Sequence, residues 1–200
     1  MTKFAILSVS DKTNLELLAS FLIQQDFHLI STGGTFTYLK THLSDDAPLH
    51  SVSDLTQFPE ILGGRVKTLH PKILGGILGR PNLSSDKEDI DTHQIPAISV
   101  VVVNLYPFLD TWKQCHQDKI KGIELESTLL EKIDIGGVTL LRAAAKNFPL
   151  VSVITSPKYY SDFIKTFPTS EFDLNYRRDL AAKAFRHVMT YDQKITHYLE

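Results

Sequence analysis

The stretch ISVVVVNLYP, residues 98–107, decides how the chain folds. Val100 to Val103 is an uninterrupted β-branched run inside the longer apolar tract Ile98–Val103. A run without polar alternation reads as a strand covered on both faces, the mark of a central strand in a parallel sheet. It stops at Asn-Leu-Tyr-Pro. Upstream, Phe4–Val9 is a second compact apolar run, ending in Ser-Asp-Lys. Helical spacing follows at Leu15, Leu18, Ala19 and Leu22, with Thr13 and Glu16 at capping-box separation.

The same logic repeats along the chain. His28–Ser31 is predicted as a strand, Thr32–Thr35 as a turn, Phe36–His42 as a helix and Leu49–Val52 as another strand. Downstream of the valine run, Leu125–Ile133 and Val138–Ala145 have helical composition on either side of a DIGG break. Val151–Thr155 is a last short β run, followed by helices over Tyr159–Phe167 and Leu174–Leu199. Alternating strands and helices predict a three-layer α/β fold with a mostly parallel central sheet, closed by a long C-terminal helix. In such sheets ligands sit beyond the C-terminal ends of the strands.

Two hundred residues, 42% hydrophobic and 22% charged, fit a single domain over residues 1–200. A net charge of −2 supplies no general basic field for nucleic acid, so a small anion is the better partner. The lone Cys115 precludes an internal disulfide, and no CxxC or paired-histidine framework offers a metal site. The N-terminus does not read as a signal peptide and no apolar run is long enough to span a bilayer. These features are those of a soluble, cytoplasmic protein without membrane contact. Pro81–Asp91 is the most linker-like segment, polar but short.

Nine of the ten glycines fall in three tracts. LGGRVKTLHPKILGGILGR, residues 62–80, holds five of them with four cationic side chains and no carboxylate. Its paired glycines predict a shaped loop rather than a regular element, either an anion receiver or a solvated basic loop. STGGT (31–35) follows a predicted strand, as do SVSDK (8–12) and NLYPF (104–108), so three motifs meet on one rim of the sheet. Ser8, Ser10, Ser31, Thr32 and Thr35 offer hydroxyls, Gly33 and Gly34 offer amides at a helix start, and Lys12 offers a charge. Together they make a phosphate site by ordinary chemistry, although STGGT alone is equally a tight turn.

SVSDK, STGGT, GGRVKTLHP (63–71), NLYPF and DIGGVTLLRAAAKN (134–147), in this order and spacing, resemble the N-terminal, methylglyoxal-synthase-like IMP cyclohydrolase domain of the bifunctional enzyme AICAR transformylase/IMP cyclohydrolase. The likeness runs from about Phe4 to about Tyr198, with LAAKAFRHVMTYDQKI (180–195) similar to that domain's closing helix. It implies closure of the purine ring of 5-formamidoimidazole-4-carboxamide ribotide to IMP and water, the last step of de novo purine biosynthesis, with no cofactor or metal. It implies a homodimer. It also implies that the formyltransferase domain usually fused to the C-terminal side is absent from this chain.

In that reading the amide nitrogen must lose a proton and the formyl oxygen must gather charge and leave. Asp134, before a glycine pair, is the candidate base, although an Asp there also reads as a plain N-cap. Gly136 and Gly137 amides are candidates to bind a substrate oxygen beside it. Lys67 is the candidate for the developing oxyanion, with Arg65 and Thr68 orienting the reacting groups. Tyr106 is a candidate proton donor or acceptor and Asn104 a binding residue, or the pair is only a structural corner. His70 is given no catalytic role.

Lys146 matches a lysine that the resembled family uses in the same site. A straight helix would carry it about 18 Å from Asp134, so it serves another part of the site or reaches across a dimer. Two competing readings are methylglyoxal synthase and a regulatory nucleotide-binding module like the allosteric domain of carbamoyl-phosphate synthetase. Lys67, Tyr106 and Asp134 together favour the cyclohydrolase.

Overall fold

The computed structural model describes residues 2–200. Five strands, β1 (Lys3–Val9), β2 (Phe27–Ser31), β3 (Leu49–Ser51), β4 (Ala97–Asn104) and β5 (Ser152–Ile154), form one sheet in the order β3-β2-β1-β4-β5. Every pairing is parallel. The helices are α1 (Leu15–Gln24), α2 (Gly33–His42), α3 (Val52–Thr56), α4 (Pro71–Leu78), α5 (Ser84–Thr92), α6 (Phe108–Gln117), α7 (Gly122–Leu130), α8 (Ile135–Lys146), α9 (Tyr160–Thr166) and α10 (Leu174–Leu199).

The valine run behaves as its composition requires. β4 lies between β1 and β5, and Val100 to Val103 are buried, as are Ala5, Ile6 and Leu7 on β1. Consecutive buried residues on a strand need cover on both faces, because successive side chains point to opposite sides. α1 packs on β2 and against α2 and α9, whereas α4 and α8 pack on β4, with α10 laid over α8 and β5. Right-handed crossovers that run from β1 toward β3 and then back from β4 toward β5 put these two helix groups on opposite faces. The result is three layers.

Four local expectations give way to tertiary packing. Residues 62–80 are not one loop: Leu62–Gly64 is a single 3₁₀ turn, but Pro71–Leu78 is helix α4, started by Pro71 and capped by His70 Nδ1, which accepts from the Lys72 N–H at 3.2 Å. Gly76 serves packing here, since a Cβ on it would stand 2.5 Å from the Pro96 carbonyl oxygen and 2.9 Å from Ile98 Cδ1. Only a helix without that carbon fits so close to the entry of β4. Pro81–Asp91 is not a linker, because helix α5 occupies most of it.

The capping box at Thr13 and Glu16 does not form. Thr13 gives both its N–H and its hydroxyl to Asp11 Oδ1, at 3.0 and 2.7 Å, and Glu16 instead accepts from the Tyr38 hydroxyl at 2.8 Å. The turn expected over Thr32–Thr35 is shorter than read: α2 begins at Gly33, so the glycine pair forms its first turn rather than a loop before it.

Candidate active site

The order in which the strands are laid down reverses between β1 and β4. From β1 the connections proceed to β2 and β3, and from β4 to β5 on the other side, which leaves a crevice beyond the C-terminal ends of β1 and β4. A cavity of about 690 Å³ occupies that crevice. It is walled by Ser8, Val9, Ser10 and Lys12 at the end of β1 and just beyond it, Thr32, Gly34 and Thr35 at the start of α2, and Asn104 and Tyr106 at the end of β4 and just beyond it. Gly63, Gly64, Arg65, Lys67 and Thr68 close a second side, and the turn from Leu130 through Gly137 closes a third.

Each wall has a local cause. Thr35 Oγ1 accepts from Val9 N–H and donates to Val9 O, both at 3.0 Å, so α2 is fastened to the end of β1. Ser8 and Thr32 hydroxyls meet at 3.3 Å. The N–H groups of Gly33 and Gly34 have no acceptor within the helix, and the positive end of α2, where Gly34 lines the cavity, favours an anion. Lys67 brings its ammonium to the same place, 3.6 Å from where a Cβ on Gly33 would lie. A cation beside a helix N-terminus is unfavourable without a negative charge between them, so this corner is arranged for a ligand anion.

Asp134 caps α8 from the opposite side: its Oδ1 accepts from the Gly137 N–H at 2.7 Å. Burial pushes its carboxyl above the ordinary carboxylate range, outweighing the Gly137 N–H and the nearby Lys67 charge that act the other way. The glycine pair is needed for space. A Cβ on Gly137 would stand 2.5 Å from Asp134 Oδ2, and one on Gly136 would stand 2.7 Å from Thr68 Oγ1. Because the Gly137 amide holds Asp134, it is not free for a substrate oxygen as expected, whereas Gly136 lines the cavity near the start of α8.

Asn104 also differs from expectation. Its Oδ1 accepts from Ser10 and Asp11 N–H groups at 2.7 and 2.8 Å, and its Nδ2 donates to Asp11 O at 2.8 Å. The side chain is a strut that shapes the wall. Tyr106 stays exposed at the mouth, with Lys132 Nζ 5.6 Å from its ring centre. Arg65 pairs with Glu131 across the entrance. Thr68 is buried.

Three expected residues fall outside the cavity. Ser31 is fully buried and donates to Leu7 O at 2.8 Å, so its hydroxyl joins two strands. Gly33 does not line the cavity although its neighbour Gly34 does; a Cβ on it would meet Lys67 Nζ. Lys146 ends the unbroken 12-residue helix α8, about 18 Å from Asp134 at the opposite end of the layer. Helical rise alone keeps it from this cavity. Conversely, Glu131, Ile133 and Ile135 line the site unforeseen. The charge at Glu131, three residues ahead of Asp134, was the one available signal.

The MGS-like domain family matches residues 14–139, and the AICARFT/IMPCHase bienzyme family matches residues 144–200. A protein of Rippkaea orientalis named bifunctional purine biosynthesis protein PurH is 48% identical over 99% of this chain and 37% of its own length. A protein of the same name from Myxococcus xanthus is 45% identical over 98% of this chain and 36% of its own. The chain thus spans about 37% of the length of the curated relatives it matches. The crystal structure of ForH superposes with a TM-score of 0.81 at 32% identity, covering 100% of this chain and 99% of that one. With a match over more than half its length, the chain belongs to the MGS-like domain family.

Proposed function

We propose that the chain is an IMP cyclohydrolase, closing 5-formamidoimidazole-4-carboxamide ribotide to IMP with release of water. The observation that carries this reading is the placement of the half-buried Asp134 carboxyl and the Lys67 ammonium in the lining of one cavity. Relatives named for purine biosynthesis support it.

Ring closure forms a bond from the carboxamide nitrogen to the formyl carbon. Asp134 takes a proton from that nitrogen as it attacks, its proton affinity raised by burial. Charge then builds on the formyl oxygen beside Lys67, where a fixed cation lowers the barrier most. The oxygen leaves as water: Tyr106 at the mouth gives it one proton and is reprotonated by the one lost from the formamide N–H, and the proton that Asp134 took from the carboxamide supplies the other, so both side chains end as they began. Ser8, Ser10, Lys12, Thr32 and Gly34 hold the 5′-phosphate against the start of α2, whereas the expected Thr35 spends its hydroxyl on Val9 and holds the wall in place; Arg65 and Thr68 orient the base.

Ultraviolet absorbance during incubation with the formylated ribotide tests the reading: a purine spectrum is expected. Lys67→Ala, Asp134→Asn and Tyr106→Phe should each retain the fold and slow its appearance. Binding without spectral change would support the regulatory reading instead, and near-normal turnover in all three variants would refute the assignment.

A further inference from the structure

Tyr191 on α10 is almost wholly buried, yet its hydroxyl is doubly engaged. It donates to the Lys132 carbonyl at 2.7 Å and accepts from the Asp134 N–H at 2.9 Å. One phenol of the C-terminal helix therefore closes the turn that delivers Asp134 to the cavity. The N–H of an N-cap residue has no partner within its own helix, and upstream of it the Glu131, Lys132 and Ile133 amides reach back to Ser127, Leu129 and Leu130 without touching Asp134. Lys132 in the same turn extends its ammonium over Tyr106, so the tether sets both walls at once.

We propose that Tyr191 is a positioning residue for Asp134, fixing by its hydroxyl the backbone from which the carboxylate reaches the substrate. This rests on the cyclohydrolase reading. The phenol lies behind the turn and is not among the cavity-lining groups, so it touches no reacting atom. Its two hydrogen bonds fix the position and tilt of the Asp134 backbone, and a proton transfer falls off steeply when the acceptor is displaced. Burial raises the phenol's pKa to about 12, which keeps it protonated and able to donate to Lys132 O throughout the working range.

Tyr191→Phe keeps the ring and removes only the hydroxyl. The expected result is a fall in kcat of about tenfold, the equivalent of one net hydrogen bond, with KM for the formylated ribotide and the calorimetric Kd for IMP within about twofold. In an Asp134→Asn background the same change should cost less than about twofold further, because the group it positions is gone. A Tyr191→Phe enzyme with kcat within twofold of wild type, or an undiminished loss in the Asp134→Asn background, overturns the proposal. If Asp134→Asn itself turns over normally, the base assignment fails instead. Should Tyr191→Phe not fold, hydrogen exchange in the unaltered chain decides: the Asp134 amide should exchange at least about a hundredfold slower than an unstructured amide, and unprotected exchange overturns the tether.

Discussion

Asn104 Oδ1 accepts from the Ser10 N–H at 2.7 Å, and through that bond the end of β4 holds the loop that leaves β1. The two elements are ninety-four residues apart in sequence, yet the same carboxamide also takes Asp11 N–H and gives to Asp11 O. Asn104→Ala removes all three bonds at the crevice. The expected loss of stability is about 1–3 kcal/mol by denaturant unfolding, with a rise in KM as the Ser8–Lys12 wall loosens. An unchanged unfolding midpoint would show that water replaces the strut without cost.

Asp134 gives a prediction with a definite sign. Its folded pKa lies above the ordinary value of 3.8, so over the window between them the native state holds a proton that the unfolded chain has lost. Stability attributable to this group therefore falls as pH rises through the window, and the cost is fully present above the folded pKa. Asn keeps the N-cap hydrogen bond and carries no charge. Asp134→Asn should raise Tm relative to wild type at about pH 7, with the gain shrinking toward about pH 4, while kcat falls about 10²–10⁴-fold. A gain independent of pH would show that burial is not what shifts the carboxyl.

Most of this arrangement is legible in the residues. The valine run from Val100 to Val103 and the alternation around it lead to the parallel sheet, and the motifs SVSDK, STGGT and NLYPF lead to the rim where the cavity lies. What escapes is whatever depends on partners distant in sequence. Gly75 and Gly76 look like loop formers until Ile95, Pro96 and Ile98 are seen to press on them. Asn104 looks free to bind a ligand until the Ser10–Asp11 backbone claims it. Ser31 belongs by motif to the phosphate group but by strand alternation points into the core. The 18 Å span of α8, in contrast, follows from helical rise alone, and Lys146 lies where that span puts it.

Two glycine substitutions separate packing from chemistry. Gly76→Ala drives a methyl toward the Pro96 carbonyl, a backbone atom that cannot rotate away, far from the cavity. It should cost about 1–3 kcal/mol of stability and leave kcat/KM close to wild type at a temperature where the variant is folded. Gly137→Ala instead collides with Asp134 Oδ2 and with Leu105 Cδ2, at 2.5 and 2.8 Å. Turnover should fall about tenfold or more as the carboxylate is displaced. Parallel denaturation and kinetic assays check the contrast, and equal kinetic losses in the two variants would contradict the placement of either glycine.

The phosphate end can be tested without touching the reacting groups. Lys12 lines the cavity beside Ser8 and Ser10, its ammonium 3.3 Å from the Ser10 carbonyl, while Asp134 stands on another wall. If the 5′-phosphate sits between Lys12 and the start of α2, Lys12→Ala should weaken IMP binding by about tenfold in calorimetry, the scale of one charge-assisted hydrogen bond, and change kcat little. Inosine lacks the phosphate, so its much weaker binding should be indifferent to the substitution. The IMP affinity should also decline with added salt more steeply than that of inosine, since only the former neutralises a local cationic site. Equal sensitivity of nucleotide and nucleoside to Lys12→Ala would move the phosphate away from this corner and return the basic residues Arg65 and Lys67 as its holders.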